Sequence, residues 1–157
     1  MEKWFVELFD FLGRNSSYLL VIIAVFRMIS RVKYLISFLA LCLINMNLVK
    51  CLKIWIRDPR PAKMIEDPTN PEYYGMPSGH AYHNAFITVF LWMVNPSWVV
   101  LYVCVVVGSV SLIERYKQNR HTVGQLFAGT IGGALFACAS VLVLRHYFEK
   151  SAAHSNL

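Results

Sequence analysis

Three short stretches of the sequence contain residue types that bind and transfer phosphate. Together they supply three fixed cations, two imidazoles and a glycine-containing turn, all at the ends of apolar segments. Phosphoryl transfer depends mainly on positioning and on neutralising charge, so this set predicts a phosphate-handling site. The stretches are Lys53 with Arg60-Pro61 after six intervening residues, Pro77-Ser78-Gly79-His80, and Arg115 with His121 after five intervening residues.

The candidate nucleophile is His121, which is predicted to open a helix with Gln125 one turn later on the same face. Gly129, Gly133 and Ala137 continue that face at intervals of four, and small residues in such a row let helices approach closely. The row is therefore predicted to face the bundle interior, with His121 and Gln125 at its polar mouth. One ring nitrogen can attack phosphorus while Gln125 binds the other. The alternative is a histidine that contacts lipid headgroups.

The second stretch predicts an anion site at a helix start. Pro77 suits the first turn of a helix, whose following N–H groups are unpaired and attract anions. Gly79 lets a phosphate oxygen approach the backbone, and His80 can protonate a leaving group. The alternative is an ordinary helix start.

The cations Lys53, Arg60 and Arg115 form the proposed phosphate clamp. An arginine offers a planar fork that matches two phosphate oxygens, whereas lysine acts as a point charge. The alternative is that these residues only anchor helix ends at the headgroups.

The composition indicates an integral membrane protein. The hydrophobic fraction is 57%, and the mean hydropathy is +0.47. Ala81 to Ile113 and Thr122 to Leu144 contain no Lys, Arg, Asp or Glu, and a membrane-spanning helix needs about 20 mostly apolar residues. The net charge of +6 sits largely at the ends of apolar segments, which favours membrane lipids and a phosphorylated lipid as partners over nucleic acid.

The predicted fold is all-α: a single-domain integral membrane bundle over 1–157, with its motif core at 53–125. It has about five transmembrane helices plus an N-terminal interfacial amphipathic helix, which carries Lys3, Glu7, Asp10 and Arg14 on one face. Asn15-Ser16-Ser17 is predicted to cap the next helix. This count puts the three motifs on one membrane face. The predicted spans are roughly 18–30, 33–56, 77–95, 97–114 and 121–147.

Joined in this order, the stretches resemble the type 2 phosphatidic acid phosphatase superfamily of lipid phosphatases. That family's pattern is K-x6-RP, then PSGH, then SR-x5-H-x3-D, and the likeness runs from Lys53 to Gln125. The resemblance implies that His121 is the nucleophile and His80 the general acid. It also implies a set of phosphate ligands, which are Lys53, Arg60, Ser78, Gly79 and Arg115.

The sequence departs from the family pattern at two positions. Glu114 stands where the family usually has Ser, and Gln125 stands where it usually has the Asp that orients the nucleophile. However, the strings His121-Thr122-x-x-Gln125 and Tyr74-Gly75-Met76-Pro77-Ser78 are similar to the dolichyl-diphosphatase branch, which carries Gln there and is active. The resemblance therefore implies an active enzyme.

The expected reaction is hydrolysis of a polyprenyl diphosphate to the monophosphate and inorganic phosphate. No cofactor and no metal are expected, because the clamp cations take the role that Mg²⁺ plays elsewhere. The resemblance favours the endoplasmic reticulum with a luminal site, or the extracytoplasmic face of a plasma membrane. Two alternatives stay open: a phosphatase for phosphatidate or undecaprenyl diphosphate, and a catalytically silent protein that binds lipid phosphates.

Overall fold

The computed structural model describes residues 3–62 and 66–154, and its regular structure over those residues is entirely helical. Five α-helices are joined by short links and by one longer loop, 57–78, which contains a 3-10 helix at Pro71–Tyr73. The predicted all-helical fold is therefore confirmed for the described residues. The α-helices are α1 (Lys3–Met28), α2 (Val32–Ile56), α3 (Gly79–Val94), α4 (Trp98–Lys117) and α5 (Val123–His154).

Four helices within the described residues, α1, α2, α4 and α5, are long and apolar enough to cross a membrane. Their outer faces expose large apolar side chains such as Phe26 and Trp55, the latter with 81% of its surface exposed. Such faces suit lipid rather than water, so the prediction of a membrane protein is supported. Helix α3 has 16 residues, so the predicted count of five spans is not confirmed.

The predicted separation of an interfacial helix from the first span is wrong, because α1 is one continuous helix of 26 residues. The expected cap at Asn15-Ser16-Ser17 lies inside it. Asn15 Nδ2 donates to the carbonyl of Phe11 (2.9 Å). Ser17 Oγ donates to Asn84 Oδ1 (2.8 Å) and Asn84 Nδ2 donates to Ser16 Oγ (3.0 Å). The short polar side chains thus bind within α1 and across to α3, so they do not end the helix.

Helix α3 occupies the centre of the bundle and packs against each of the other four α-helices. Its aromatic side chains Phe86 and Phe90 are fully buried, and Phe38 of α2 packs on both, with ring centroids 6.0 and 5.3 Å away. At its C-terminal end Arg31 donates to the carbonyl of Val94, and Arg145 donates to another carbonyl of the last turn. These cations satisfy carbonyls that have no partner within the helix. Helix α3 therefore contacts the three other helices that carry motif residues, α2, α4 and α5.

The small residues of α5 face the bundle interior, as the sequence predicted, and two of them lie against α3. Ala137 is fully buried, and Gly129 and Gly133 lie directly against the α3 backbone. A Cβ atom at Gly133 would stand 2.0 Å from the carbonyl oxygen of Tyr82. The two helices can lie this close only because glycine has no side chain, and this contact sets the position of His121 relative to His80.

We expect Gly133→Ala to destabilise the protein by about 1–3 kcal/mol, because the added methyl forces α3 and α5 apart. Thermal unfolding in detergent measures the effect. The matched control is Gly108→Ala in α4, where a Cβ meets nothing within 4 Å and helix propensity adds at most about 1 kcal/mol. Equal unfolding temperatures for the two variants would contradict the close contact.

Candidate active site

The three motifs come together at one end of the bundle, where α2 and α4 end and α3 and α5 begin. Arg115, in the last turn of α4, donates to His80 Nε2 in the first turn of α3 (2.8 Å). The backbone N–H of Ser78 donates to the carbonyl of Gln125 (3.1 Å). The predicted single chemical face is thus a compact cluster of side chains from four elements.

The hydrogen bonds of Gln125 fix the tautomer of His121. Gln125 Nε2 lies 2.8 Å from Asp58 Oδ2 and 2.9 Å from the carbonyl of Pro59, and Oε1 lies 3.2 Å from the N–H of Thr122. A carboxylate and a carbonyl only accept, and a backbone N–H only donates, so the amide has one possible orientation. His121 Nδ1, 3.2 Å from Oε1, must therefore be the donor. The neutral ring then carries its free lone pair on Nε2, as a nucleophile requires.

His121 is buried, with 3% of its surface exposed. Burial, followed by the positive charge of Arg60, lowers the pKa of His121 to about 3, although the bond to Gln125 acts in the opposite direction. Lys53 and Arg115 lower the pKa further. The ring is therefore neutral at physiological pH, and the cations that lower its pKa are those of the predicted clamp.

Two clamp cations hold a carboxylate of the protein itself. Lys53 Nζ lies 3.0 Å from Glu72 Oε1, and Arg60 Nη2 lies 2.6 Å from Glu72 Oε2. Burial by itself raises the pKa of Glu72, but Lys53 and Arg60 outweigh it and hold the pKa below its usual value. The two oxygens of Glu72 thus bind the two cations in the way the sequence predicts for two phosphate oxygens, so a phosphate at this position would have to displace them.

Two polar atoms of the predicted phosphate ligands, Ser78 Oγ and Arg60 Nε, are buried with neither a hydrogen-bond nor an ion-pair partner among the described residues. Buried polar atoms without partners are uncommon and are expected where a ligand binds. The N–H of Ser78 is occupied by Gln125, so its hydroxyl is the group left for a phosphate. The N–H groups of Gly79 and His80 follow in the first turn of α3, where no intrahelical acceptor exists.

His80 Nε2 lies between a hydrogen-bond donor and a hydrogen-bond acceptor. Arg115 Nη2 lies 2.8 Å away and only donates, while the carbonyl of Arg14 lies 3.3 Å away and only accepts. The neutral ring therefore binds Arg115, and a ring protonated at Nε2 turns to the carbonyl of Arg14. Arg115 also lies 3.1 Å from the carboxylate of Glu114, which is 1% exposed and packs against Gly13 of α1.

Four residues at the site were not predicted to belong to it. Arg14 and Arg120 add positive charge, and Arg120 lowers the pKa of Arg60. Asp58 and Glu72 bind the predicted residues directly. Asp58 lies between Lys53 and Arg60, so its position inside that motif could have indicated that it belongs to the site. Nothing in the sequence around Glu72 indicates a contact with the clamp. No group of three or more His, Cys, Asp or Glu side chains within the described ranges is arranged to hold a metal ion.

We expect Glu72→Gln to strengthen inhibition by inorganic phosphate. The substitution removes the carboxylate that competes for Lys53 and Arg60, and because Glu72 is half exposed, the gain should be about 2- to 10-fold in affinity. Phosphate inhibition constants measure it. The control is Glu66→Gln, an exposed acid of the same loop. Weaker phosphate inhibition of Glu72→Gln would instead mean that Glu72 orders the cations for the substrate.

Comparison with known proteins agrees with this arrangement. Neither the search of curated proteins nor the search of solved structures found a significant match to the chain. A family model described as "PAP2 superfamily" matches residues 32–149. That match covers α2 to α5 almost completely, together with all three motifs. Members of this family are phosphatases that act on phosphoric esters. The chain therefore belongs to the PAP2 superfamily.

Proposed function

We propose that this protein hydrolyses a polyprenyl diphosphate of the dolichyl type to the lipid monophosphate and inorganic phosphate. The proposal extends the coarser finding that the chain is a membrane phosphatase of the PAP2 superfamily. The observation that carries it is the neutral amide of Gln125 against His121, where the sequence pattern of the wider family has an aspartate.

The choice of a diphosphate follows from leaving-group chemistry. A phosphate monoester departs more readily than a lipid alkoxide, so the attacking histidine needs less stabilisation of its cationic form. A diphosphate head also offers more oxygens to the clamp of Lys53, Arg60 and Arg115. Both points favour a diphosphate substrate for a nucleophile that is oriented by an amide.

The proposed reaction has two steps. His121 Nε2 attacks the terminal phosphorus, and the bond from that phosphorus to the bridging oxygen breaks, leaving its electron pair on the lipid monophosphate. His80 gives that oxygen a proton, while Lys53, Arg60 and Arg115 stabilise the equatorial oxygens. A water molecule then attacks the phosphohistidine and gives a proton to His80, so that inorganic phosphate leaves and both histidines are restored.

Substrate binding can also allow His80 to take up from water the proton that it gives to the leaving group. In the free protein the guanidinium of Arg115 faces Nε2 and keeps it unprotonated. A phosphate bound to Arg115 draws that donor away and offsets its charge. His80 can then take up a proton on Nε2, next to the carbonyl of Arg14.

We further propose that the site faces the lumen of the endoplasmic reticulum. The support is the resemblance to the dolichyl-diphosphatase branch, because the Lys and Arg residues of the short loops separate the two faces only weakly. The exposed apolar faces of the helices suit a substrate whose tail stays in the bilayer while its head reaches His121.

The test is phosphate release by purified protein in nanodiscs from three lipids: a dolichyl-type diphosphate, undecaprenyl diphosphate and phosphatidate. We expect rapid hydrolysis of the diphosphates, slow hydrolysis of phosphatidate, and full activity in EDTA. Equal or faster hydrolysis of phosphatidate would overturn the proposed specificity. No hydrolysis of any of the three would overturn the proposed activity and favour the alternative of a silent lipid-phosphate binder.

A further inference from the structure

The PAP2 pattern has a carboxylate at the position of Gln125, and this chain supplies a carboxylate from elsewhere in the site. Asp58, in the loop after α2, accepts a hydrogen bond from Gln125 Nε2 (2.8 Å). Gln125 in turn accepts one from His121 (3.2 Å). We infer that Asp58 is a positioning residue for His121, which acts through the amide of Gln125 to orient the imidazole and to stabilise its positive charge.

The amide of Gln125 is rigid, because all its hydrogen-bonding capacity is used. Gln125 is fully buried, its two N–H groups bind Asp58 and the carbonyl of Pro59, and its oxygen accepts from Thr122 and His121. A fully satisfied buried network holds one geometry. Without Asp58 one N–H group loses its acceptor, and the orientation that selects the Nδ1–H tautomer loses one of the three contacts that fix it.

Asp58 also contributes charge. When His121 attacks phosphorus the ring becomes cationic, and its Nδ1–H bond to Gln125 Oε1 strengthens. The carboxylate polarises the Gln125 amide so that Oε1 is more negative, and hydrogen bonds in such a chain reinforce one another. This inference rests on the proposed role of His121 in phosphoryl transfer, but not on the identity of the lipid.

Backbone contacts, rather than the side chain of Asp58, hold this part of the loop in place. Substitutions of that side chain can therefore test its role without moving the loop. Arg57, the residue after α2, adopts a left-handed conformation with φ 57°, and its N–H binds the carbonyl of Lys53. The carbonyl of Asp58 accepts from the N–H of Gly75 (2.7 Å), and Pro59 forms an isolated antiparallel bridge with Tyr74. A change confined to the Asp58 side chain therefore leaves these backbone contacts intact.

The first experiment compares Asp58→Asn with Asp58→Ala. Asparagine can still accept from Gln125 Nε2 through its amide oxygen, but it carries no charge. We expect Asp58→Asn to lower kcat about 10- to 100-fold, at or just below the lower limit for groups that transfer the proton themselves, with KM changed less than about twofold and the unfolding temperature unchanged. Asp58→Ala should lower kcat further. Wild-type kcat in Asp58→Asn would overturn the inference and leave Asp58 a structural loop residue.

The second experiment moves the negative charge from position 58 to position 125. Gln125→Glu puts a carboxylate against Asp58, and the repulsion should lower activity below that of Asp58→Asn. In the double variant Asp58→Asn with Gln125→Glu, the introduced asparagine amide can donate to the introduced carboxylate, which then faces His121 directly. We expect the double variant to recover at least about tenfold in kcat over Gln125→Glu. No recovery would contradict a role for the charge of Asp58.

The experiments distinguish a wrong role for Asp58 from a wrong lipid assignment. The kinetic arms use whichever of the three lipids is hydrolysed fastest, so a wrong lipid assignment leaves them valid. Nitrogen-15 NMR of histidine-labelled protein reads the His121 tautomer without turnover. We expect mainly Nδ1–H in the wild type and a smaller Nδ1–H fraction in Asp58→Ala. An unchanged tautomer ratio would contradict orientation by Asp58, even if the protein hydrolysed none of the lipids.

Discussion

His121→Ala should abolish turnover of every lipid phosphate that the protein hydrolyses. The substitution removes the nitrogen that attacks phosphorus, and loss of a nucleophile in a protease triad costs about 10⁶ in kcat. We expect a fall of at least about 10⁴-fold, with phosphate binding retained, because Lys53, Arg60 and Arg115 remain. The measurements are phosphate release and direct binding of inorganic phosphate.

The intermediate gives a more specific result. Since Nδ1 of His121 is bound to Gln125, rapid quenching with substrate labelled in its terminal phosphate should trap the phosphoryl group on Nε2. The control is His146→Ala, an exposed histidine of α5, which should form the intermediate normally. Substantial turnover by His121→Ala, or phosphorylation at Nδ1, would contradict the mechanism.

The helical layout was largely predictable, because helices that face lipid are encoded as long runs of apolar residues. The predicted segments 33–56 and 97–114 agree with α2 and α4 to within three residues. Each is an apolar run bounded by charges or by Pro96, and length and composition alone identify such runs. The motifs were predictable for a similar reason, since each lies within nine residues of sequence.

The course of α1 was not predictable from local signals. Asn15-Ser16-Ser17 has the composition of a helix cap, but Asn84 of α3 supplies partners for both serines. That partner is 67 or 68 residues away along the chain. Local propensity therefore predicted a helix start at Asn15-Ser16-Ser17, whereas hydrogen bonds to α3 accommodate both serines inside one continuous helix.

The loop that completes the site was unpredictable for the same reason. Asp58 meets Gln125 across 67 residues, and Glu72 meets Lys53 across 19. Neither acid lies in a periodic segment, so no pattern indicates which way its side chain points. Their positions follow from the left-handed Arg57 and from the bridge between Pro59 and Tyr74. The sequence therefore singled out His121 and the cations as candidates, but not the carboxylates that bind Gln125, Lys53 and Arg60.

The second large effect concerns Arg115, whose removal should lower kcat about 10²- to 10³-fold, as loss of a transition-state hydrogen-bond donor does elsewhere. The simple variant Arg115→Ala is a poor test, because it leaves Glu114 buried and unpaired, and an uncompensated buried charge destabilises a protein by about 3–5 kcal/mol. The double variant Glu114→Gln with Arg115→Gln removes both charges, keeps the side-chain size at position 114 and leaves a shorter polar side chain at position 115. We expect it to unfold near the wild-type temperature while it loses activity.

Two further variants separate charge from geometry at Arg115. Arg115→Lys keeps the charge but loses the planar fork that can bind His80 and a phosphate oxygen together, so we expect most of the loss of kcat to persist. Lys117→Gln removes a cation from the same end of α4, where Lys117 lies over the ring of Phe9 (5.2 Å). It should retain wild-type kcat. Equal losses in Lys117→Gln and the double variant would mean that general positive charge at this face, rather than the Arg115 fork, stabilises the transition state.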